Sequence, residues 1–265
     1  MKRNDLDIRM KEYEAVSKNY LTRRIPVIIR IDGRAFHTFT KKFIKPFDII
    51  LMQSMQLTMK YLCENIQGCV LGYTQSDEIT LVLCDYQSID SAAWFDYKVH
   101  KITSVSASMA TLEFNRQFYR LVQNYKIVSA VNCMEDSIKQ LAVYERAIET
   151  GATFDARAFN LPINEVVNNL IWRQQDATKN SIQMVARYLF PQKELYHLNG
   201  DMLQEKMFKE AGINWNNFDT DKKRGACCIK KDTEVNGVIR GKWVIDKEIP
   251  IFTKDREYIT SRITF

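Results

Sequence analysis

Six short segments restrict the fold most, because their hydrophobic spacing switches between strand and helix in a fixed order. Residues 27–31 (Val-Ile-Ile-Arg-Ile) are a β-branched run of strand length. Residues 48–66 place Leu51, Met55, Leu62 and Ile66 at helical spacing. Residues 70–73 and 79–84 are apolar runs around a polar tip at 74–78, which predicts a hairpin. Helical period returns from 92 to about 118, and 153–161 predicts a fourth strand. The order is βαββαβ, an α+β arrangement of the ferredoxin or split-βαβ type.

Beyond it, Pro162 opens a helix over 163–189, a position that tolerates proline, and Pro191 ends it. Residues 201–210 predict another helix. Residues 225–245 alternate as a β-hairpin with its turn at Asn236-Gly237. Within the poorly patterned stretch 121–152, residues 126–131 read as a strand and 137–150 as a helix. The expected organisation is a sheet-based core over 1–161 with a helix-rich, hairpin-bearing extension over 162–265, and no clean linker between them.

Composition excludes several classes. With 46% hydrophobic and 26% charged residues the chain has ample material for a packed core. No run reaches the roughly 18 to 20 apolar residues of a membrane span, so no membrane role is expected. The cysteines at 63, 69, 84, 133, 227 and 228 form no CxxC pair, and His37, His100 and His197 are scattered. Reduced thiols in a cytoplasmic protein are therefore expected, not a disulfide framework or a zinc site. The net charge of +6 is compatible with a nucleic-acid partner without requiring one.

Two acids stand where apolar strands run out: Asp32 after 27–31 and Asp77 before 79–84. Each alone reads as a turn residue. Together, on neighbouring strands, they predict an anionic nest of hard oxygen donors, the type that holds Mg²⁺ for phosphoryl or nucleotidyl transfer. Gly33 lets a backbone carbonyl and a phosphate come close. Ser76 and Glu78 flank the second acid. Between Phe36 and Asp48, aromatic and basic residues alternate, and this suits rings on a base and cations on a triphosphate as well as it suits a buried Phe36/Phe39 pair. From Lys222 to Lys242 there are seven Lys/Arg residues and two acids, a stretch able to meet RNA phosphates or simply water.

Five ordered motifs resemble the tRNA-His guanylyltransferase family, in particular its like-proteins that act as template-directed 3′-to-5′ polymerases. They are Arg30-Ile-Asp-Gly-Arg-Ala-Phe-His37, Lys45-Pro-Phe-Asp48, Tyr73-Thr-Gln-Ser-Asp-Glu78, Phe154-Asp-Ala-Arg157 and Trp172-Arg-Gln-Gln-Asp176. The resemblance spans about residues 20–231. It implies a polymerase-like palm. It implies that Asp32, the Gly33 carbonyl and Asp77 hold two Mg²⁺ ions, with Glu78 counted among the catalytic carboxylates. It places Arg34, Ala35, Phe36, His37, Phe43, Lys45, Asp48, Ser76 and Lys101 around a nucleotide. Arg157, Arg173 and Asn180 fall in motifs expected to meet tRNA or a second nucleotide. ATP and GTP are the implied substrates, tRNA-His and 5′-truncated tRNAs the implied partners, and a homotetramer the implied assembly.

One departure narrows this. Family members that add a non-templated G carry His-Ile-Asn-Asn after Trp-Arg-Gln-x-Asp; this chain has Thr178-Lys-Asn-Ser181. That favours templated repair over addition restricted by the anticodon. Two alternatives share the residues: a palm-fold nucleotide cyclase, which needs no RNA, and a non-catalytic tRNA-binding protein, which needs no metal nest.

Overall fold

Strand β1 (Val27–Gly33) runs inside a six-stranded antiparallel sheet of order β4-β1-β3-β2-β5-β6, and Val27, Ile28, Ile29 and Ile31 are all buried. The computed structural model describes residues 5–132, 135–235 and 238–265. An exposed helix α1 (Asp5–Ala15) precedes β1, and a single turn, α2 (Phe36–Phe39), follows it. Then come α3 (Ile49–Asn65), β2 (Cys69–Gln75), β3 (Glu78–Leu83), α4 (Val99–Asn132), α5 (Glu135–Thr150) and β4 (Phe154–Asn160). The order β4-β1-β3-β2 is the antiparallel ferredoxin arrangement expected from the βαββαβ pattern.

The second half continues with α6 (Ile163–Leu189), α7 (Gly200–Ala211), α8 (Thr220–Arg224), β5 (Ala226–Val235), β6 (Val238–Asp246) and α9 (Glu257–Ile263). β5 pairs with β2 through Gly72, Tyr73 and Thr74, so the extension lengthens the sheet of the core. The two sheet faces follow the period-2 alternation of β1 and β3. Ile29, Ile31, Ile79 and Leu81 pack with α3, α4 and α5. Ile28 and Val82 pack on the other face with Val166, Val167 and Leu170 of α6 and Ile259 and Ile263 of α9. A smaller cluster joins α6 to α7 and Trp215.

One expected strand is absent. Residues 126–131, β-branched enough to read as a strand, continue α4. Ala110, Phe114, Phe118 and Val122 repeat every fourth residue, and all four are buried against the sheet. That stripe carries the helix past Ile127 and Val128, which are exposed. The same helix starts later than expected, at Val99, after a tight turn at Trp94–Tyr97. The hairpin turn expected at Asn236-Gly237 lies outside the described residues. No helix among the described residues is long and apolar enough to cross a membrane. Cys63, Cys69, Cys84, Cys227 and Cys228 are buried free thiols.

Candidate active site

The β1–β3 ladder brings the acids together. Asp32 lies opposite Glu78, and the ladder runs one step further, with Gly33 N–H donating to Asp77 C=O at 3.1 Å. Asp77 shares the two-residue β2–β3 turn with Ser76, whose φ of 50° is left-handed. Gly33 is required by close packing: a Cβ there would sit 2.2 Å from the Phe36 ring. Burial raises the Asp77 carboxyl above the usual range, and Asp32 adds to the rise, while a hydrogen bond from Ser76 opposes it. Burial also raises Glu78, opposed by Arg173 and Arg30. These are anions held close together in partial dryness.

Cations surround the pair unevenly. Arg157, opposite Arg30 across the β1–β4 ladder, reaches within 4.0 Å of Asp32. Arg173 of α6 is only 6% exposed. Its Nε lies 3.3 Å from Glu78, a second nitrogen lies 2.5 Å from Asp176, and its guanidinium stacks 4.0 Å from the Trp172 ring centroid. The contact with tRNA or a second nucleotide expected for Arg173 is corrected by this burial: the guanidinium is engaged beneath the acids.

Beside the strand ends opens a cleft of about 670 Å³ lined by His37, Phe43, Lys45, Asp48, Ser76 and Asn180. Six of the expected residues are thus assembled in one place, Asn180 among them. Arg187, Lys222, Lys223 and Arg224 also line it and were not foreseen there. The basic run at 222–224 was legible as charge, but it belongs to α8 and the cleft wall instead of the hairpin. The cleft is strongly cationic, its lining acids being Asp48 and Asp221.

Three expectations change. Asp48 is not a free nucleotide ligand. One oxygen accepts from Leu51 N–H at 2.9 Å, and the other from Ile44 N–H at 3.0 Å and Tyr144 O–H at 2.7 Å. It caps α3 and pins the loop before it. Phe36 and Phe43 are core rings, Phe36 5.1 Å from Phe154 and Phe43 stacked 5.6 Å from Phe118, so they do not offer open faces to a base. Arg34 and Ala35 line a different cleft, and Lys101 lines neither, with its ammonium 5.1 Å from the Phe95 ring centroid. Asp48→Ala should cost about 2–4 kcal/mol of folding stability through the missing cap and the stranded Tyr144 hydroxyl, read from urea unfolding. Wild-type stability in that variant would show the pin to be dispensable.

Among the described residues no three His, Cys, Asp or Glu side chains converge as a complete metal cage. Two neighbouring carboxylates, one of them raised by burial and by the other, fit Mg²⁺, which takes few protein oxygens and completes its shell from water and phosphate.

Comparison with known proteins agrees with this geometry. The family model for tRNAHis guanylyltransferase matches residues 7–162. A bacterial tRNA-His guanylyltransferase-like protein solved in complex with ATP is 41% identical, with TM-score 0.81, covering 99% of this chain and 100% of that one. A bacterial protein of the same kind solved in complex with GTP gives 40% identity and TM-score 0.80 over the same shares. An uncharacterised protein of Acanthamoeba polyphaga mimivirus is 30% identical over 87% of this chain and 80% of its own. A probable tRNA-His guanylyltransferase of Dictyostelium discoideum is 26% identical over 81% and 78%. With its palm, its paired acids and these matches, the chain belongs to the tRNA-His guanylyltransferase family of nucleotidyltransferases.

Proposed function

We propose that this protein extends the 5′ end of tRNA in the 3′-to-5′ direction under the guidance of a template, including repair of tRNAs that lack 5′ nucleotides. The observation that carries the reading is that the strand ends bearing Asp32 and Asp77 close on one another beside a cationic cleft, which the neighbouring Ser76 lines. The relatives that hold ATP and GTP support it, and so does Thr178-Lys-Asn-Ser181 in place of the run found in non-templated G addition.

In the first step a 5′-phosphate oxygen of tRNA attacks the α-phosphorus of ATP or GTP. The bond to pyrophosphate breaks, leaving a 5′–5′ nucleotidyl cap. In the second, the 3′-hydroxyl of an incoming nucleotide attacks the tRNA 5′-phosphorus and the nucleoside monophosphate leaves. Where a monophosphate end is needed, water then releases pyrophosphate. His37, Lys45 and the cations of α8 hold the triphosphate, and Ser76 donates to a phosphate oxygen. Asp32 and Asp77, with the Gly33 carbonyl, would hold two Mg²⁺ ions, which when bound supply charge neutralisation and activation of the attacking oxygen. Glu78, kept in place by Arg173, supports the two acids from below.

The test is a 5′-labelled monophosphorylated tRNA lacking its first nucleotide, incubated with ATP, GTP and Mg²⁺. Extension by one residue is expected when the opposing base is C, and no extension when the only added nucleotide mismatches it. No extension with any nucleotide, or a cyclic product from nucleotide alone, would overturn the reading.

A further inference from the structure

The segment from Arg34 to Lys45 walls two clefts. His37, Thr40, Phe43 and Lys45 face the triphosphate cleft already described. Arg34, Lys41 and Lys42 face a second, of about 710 Å³, whose opposite wall is α5 with Arg146. Its lining includes four cations and no carboxylate. None of the four is ion-paired among the described residues, and all are exposed. Four like charges around a concavity repel one another unless an anion enters, so the cleft is built for phosphate.

Its position says which phosphate. The floor is the turn into β4: Gly33 pairs with Phe154, and Arg34 N–H donates to Thr153 C=O at 2.9 Å. The cleft therefore begins two residues past Asp32, and it shares no lining residue with the cleft assigned to the triphosphate. Gly151 and Ala152 at the floor, with Ala147 on the wall, leave room for a polymer backbone to lie close. A free triphosphate already has a site. The remaining anion in the reaction is the RNA, whose 5′ end must reach Asp32 and whose backbone must leave it.

We propose that the cleft between α2 and α5 seats the phosphodiester backbone of the tRNA acceptor stem, with Arg34, Lys41, Lys42 and Arg146 each meeting a phosphate. This rests on the nucleotidyltransferase reading. It adds an RNA surface separate from the basic hairpin.

The test is the triple variant Lys41→Gln, Lys42→Gln, Arg146→Gln in the full chain, beside the charge-keeping Lys41→Arg, Lys42→Arg, Arg146→Lys. All three side chains are exposed, so folding should survive, as circular dichroism will check. Acceptor-stem affinity is read by fluorescence anisotropy between about 50 and 200 mM salt. The neutral variant should bind roughly tenfold or more weakly at the low end, with a salt slope shallower by about two to three, near 0.9 for each phosphate left without its cation. The charge-keeping variant should restore both, and ATP affinity should stay within about twofold. Unchanged RNA affinity and slope would overturn the proposal. So would failure of ATP binding with RNA binding intact, which marks a free-nucleotide site, or a changed mass in light scattering, which marks a subunit interface. These are binding measurements only, so an inactive protein whose RNA affinity still falls in this variant would sink the proposed reaction and leave the surface standing.

Discussion

Asp77→Ala should abolish both activation of the tRNA 5′-phosphate and nucleotide addition, by at least about 10³-fold in each, while tRNA affinity should stay within about threefold. The size follows from charge: each step builds negative charge at a phosphorus, and loss of a carboxylate that anchors the neutralising cation removes several kcal/mol of transition-state stabilisation. The retained affinity follows because RNA binding is mainly phosphate contact with Lys and Arg elsewhere. Single-turnover rates with 5′-monophosphorylated and pre-activated tRNA, alongside equilibrium binding, separate the terms. Equal losses in binding and rate would contradict the division of labour.

The same residue should carry the opposite sign for stability. Burial and Asp32 raise its folded pKa above the unfolded value. Its contribution to stability is therefore complete below the unfolded pKa, fades as pH rises through the folded one, and is a net cost at neutral pH. Asp77→Asn should then melt slightly higher than wild type at pH 7 without divalent cation, and the advantage should shrink as the pH approaches the acid range.

Arg173→Ala should be among the most destabilising single changes in the chain, at about 3–5 kcal/mol, because it takes from the largely buried Glu78 its ion-pair partner and leaves it only the weaker influence of Arg30. Asp176, more exposed, tolerates the change better. Replacing the pair together, Arg173→Met with Glu78→Gln, should recover a large part of the stability and none of the activity. Thermal and urea unfolding give the first comparison and single-turnover extension the second. Near-wild-type stability in Arg173→Ala would show that the guanidinium is not holding Glu78 in place.

The βαββαβ order was legible because strand and helix periods differ, and because residues 27–31 and 79–84 are short, β-branched runs of strand length. The stretch 126–131 failed because Ile127 and Val128 satisfy a strand template locally, while the stripe at Ala110, Phe114, Phe118 and Val122 decides the matter from upstream. In the site, acids closing apolar strands gave away their meeting, since ladder register fixes where strand ends go. Aromatic residues did not: a phenylalanine beside lysines is equally suited to a base or to a core, and only the packing of Phe114, Phe118 and Tyr144 distinguishes them. Asp48 ahead of an apolar helix already had the makings of a cap. Arg173 had its own signal, standing with Val166, Leu170 and Ala177 at the helical spacing of a buried stripe.

The stretch matched by the family model stops at residue 162, yet the hydrogen-bonded ladder does not. A fragment ending there would bare the β2 edge to neighbouring molecules and leave Ile28, Leu71 and Val82 uncovered by α6 and α9. The matched family model and the unit that folds thus have different borders in this protein, and a version cut at the first should aggregate.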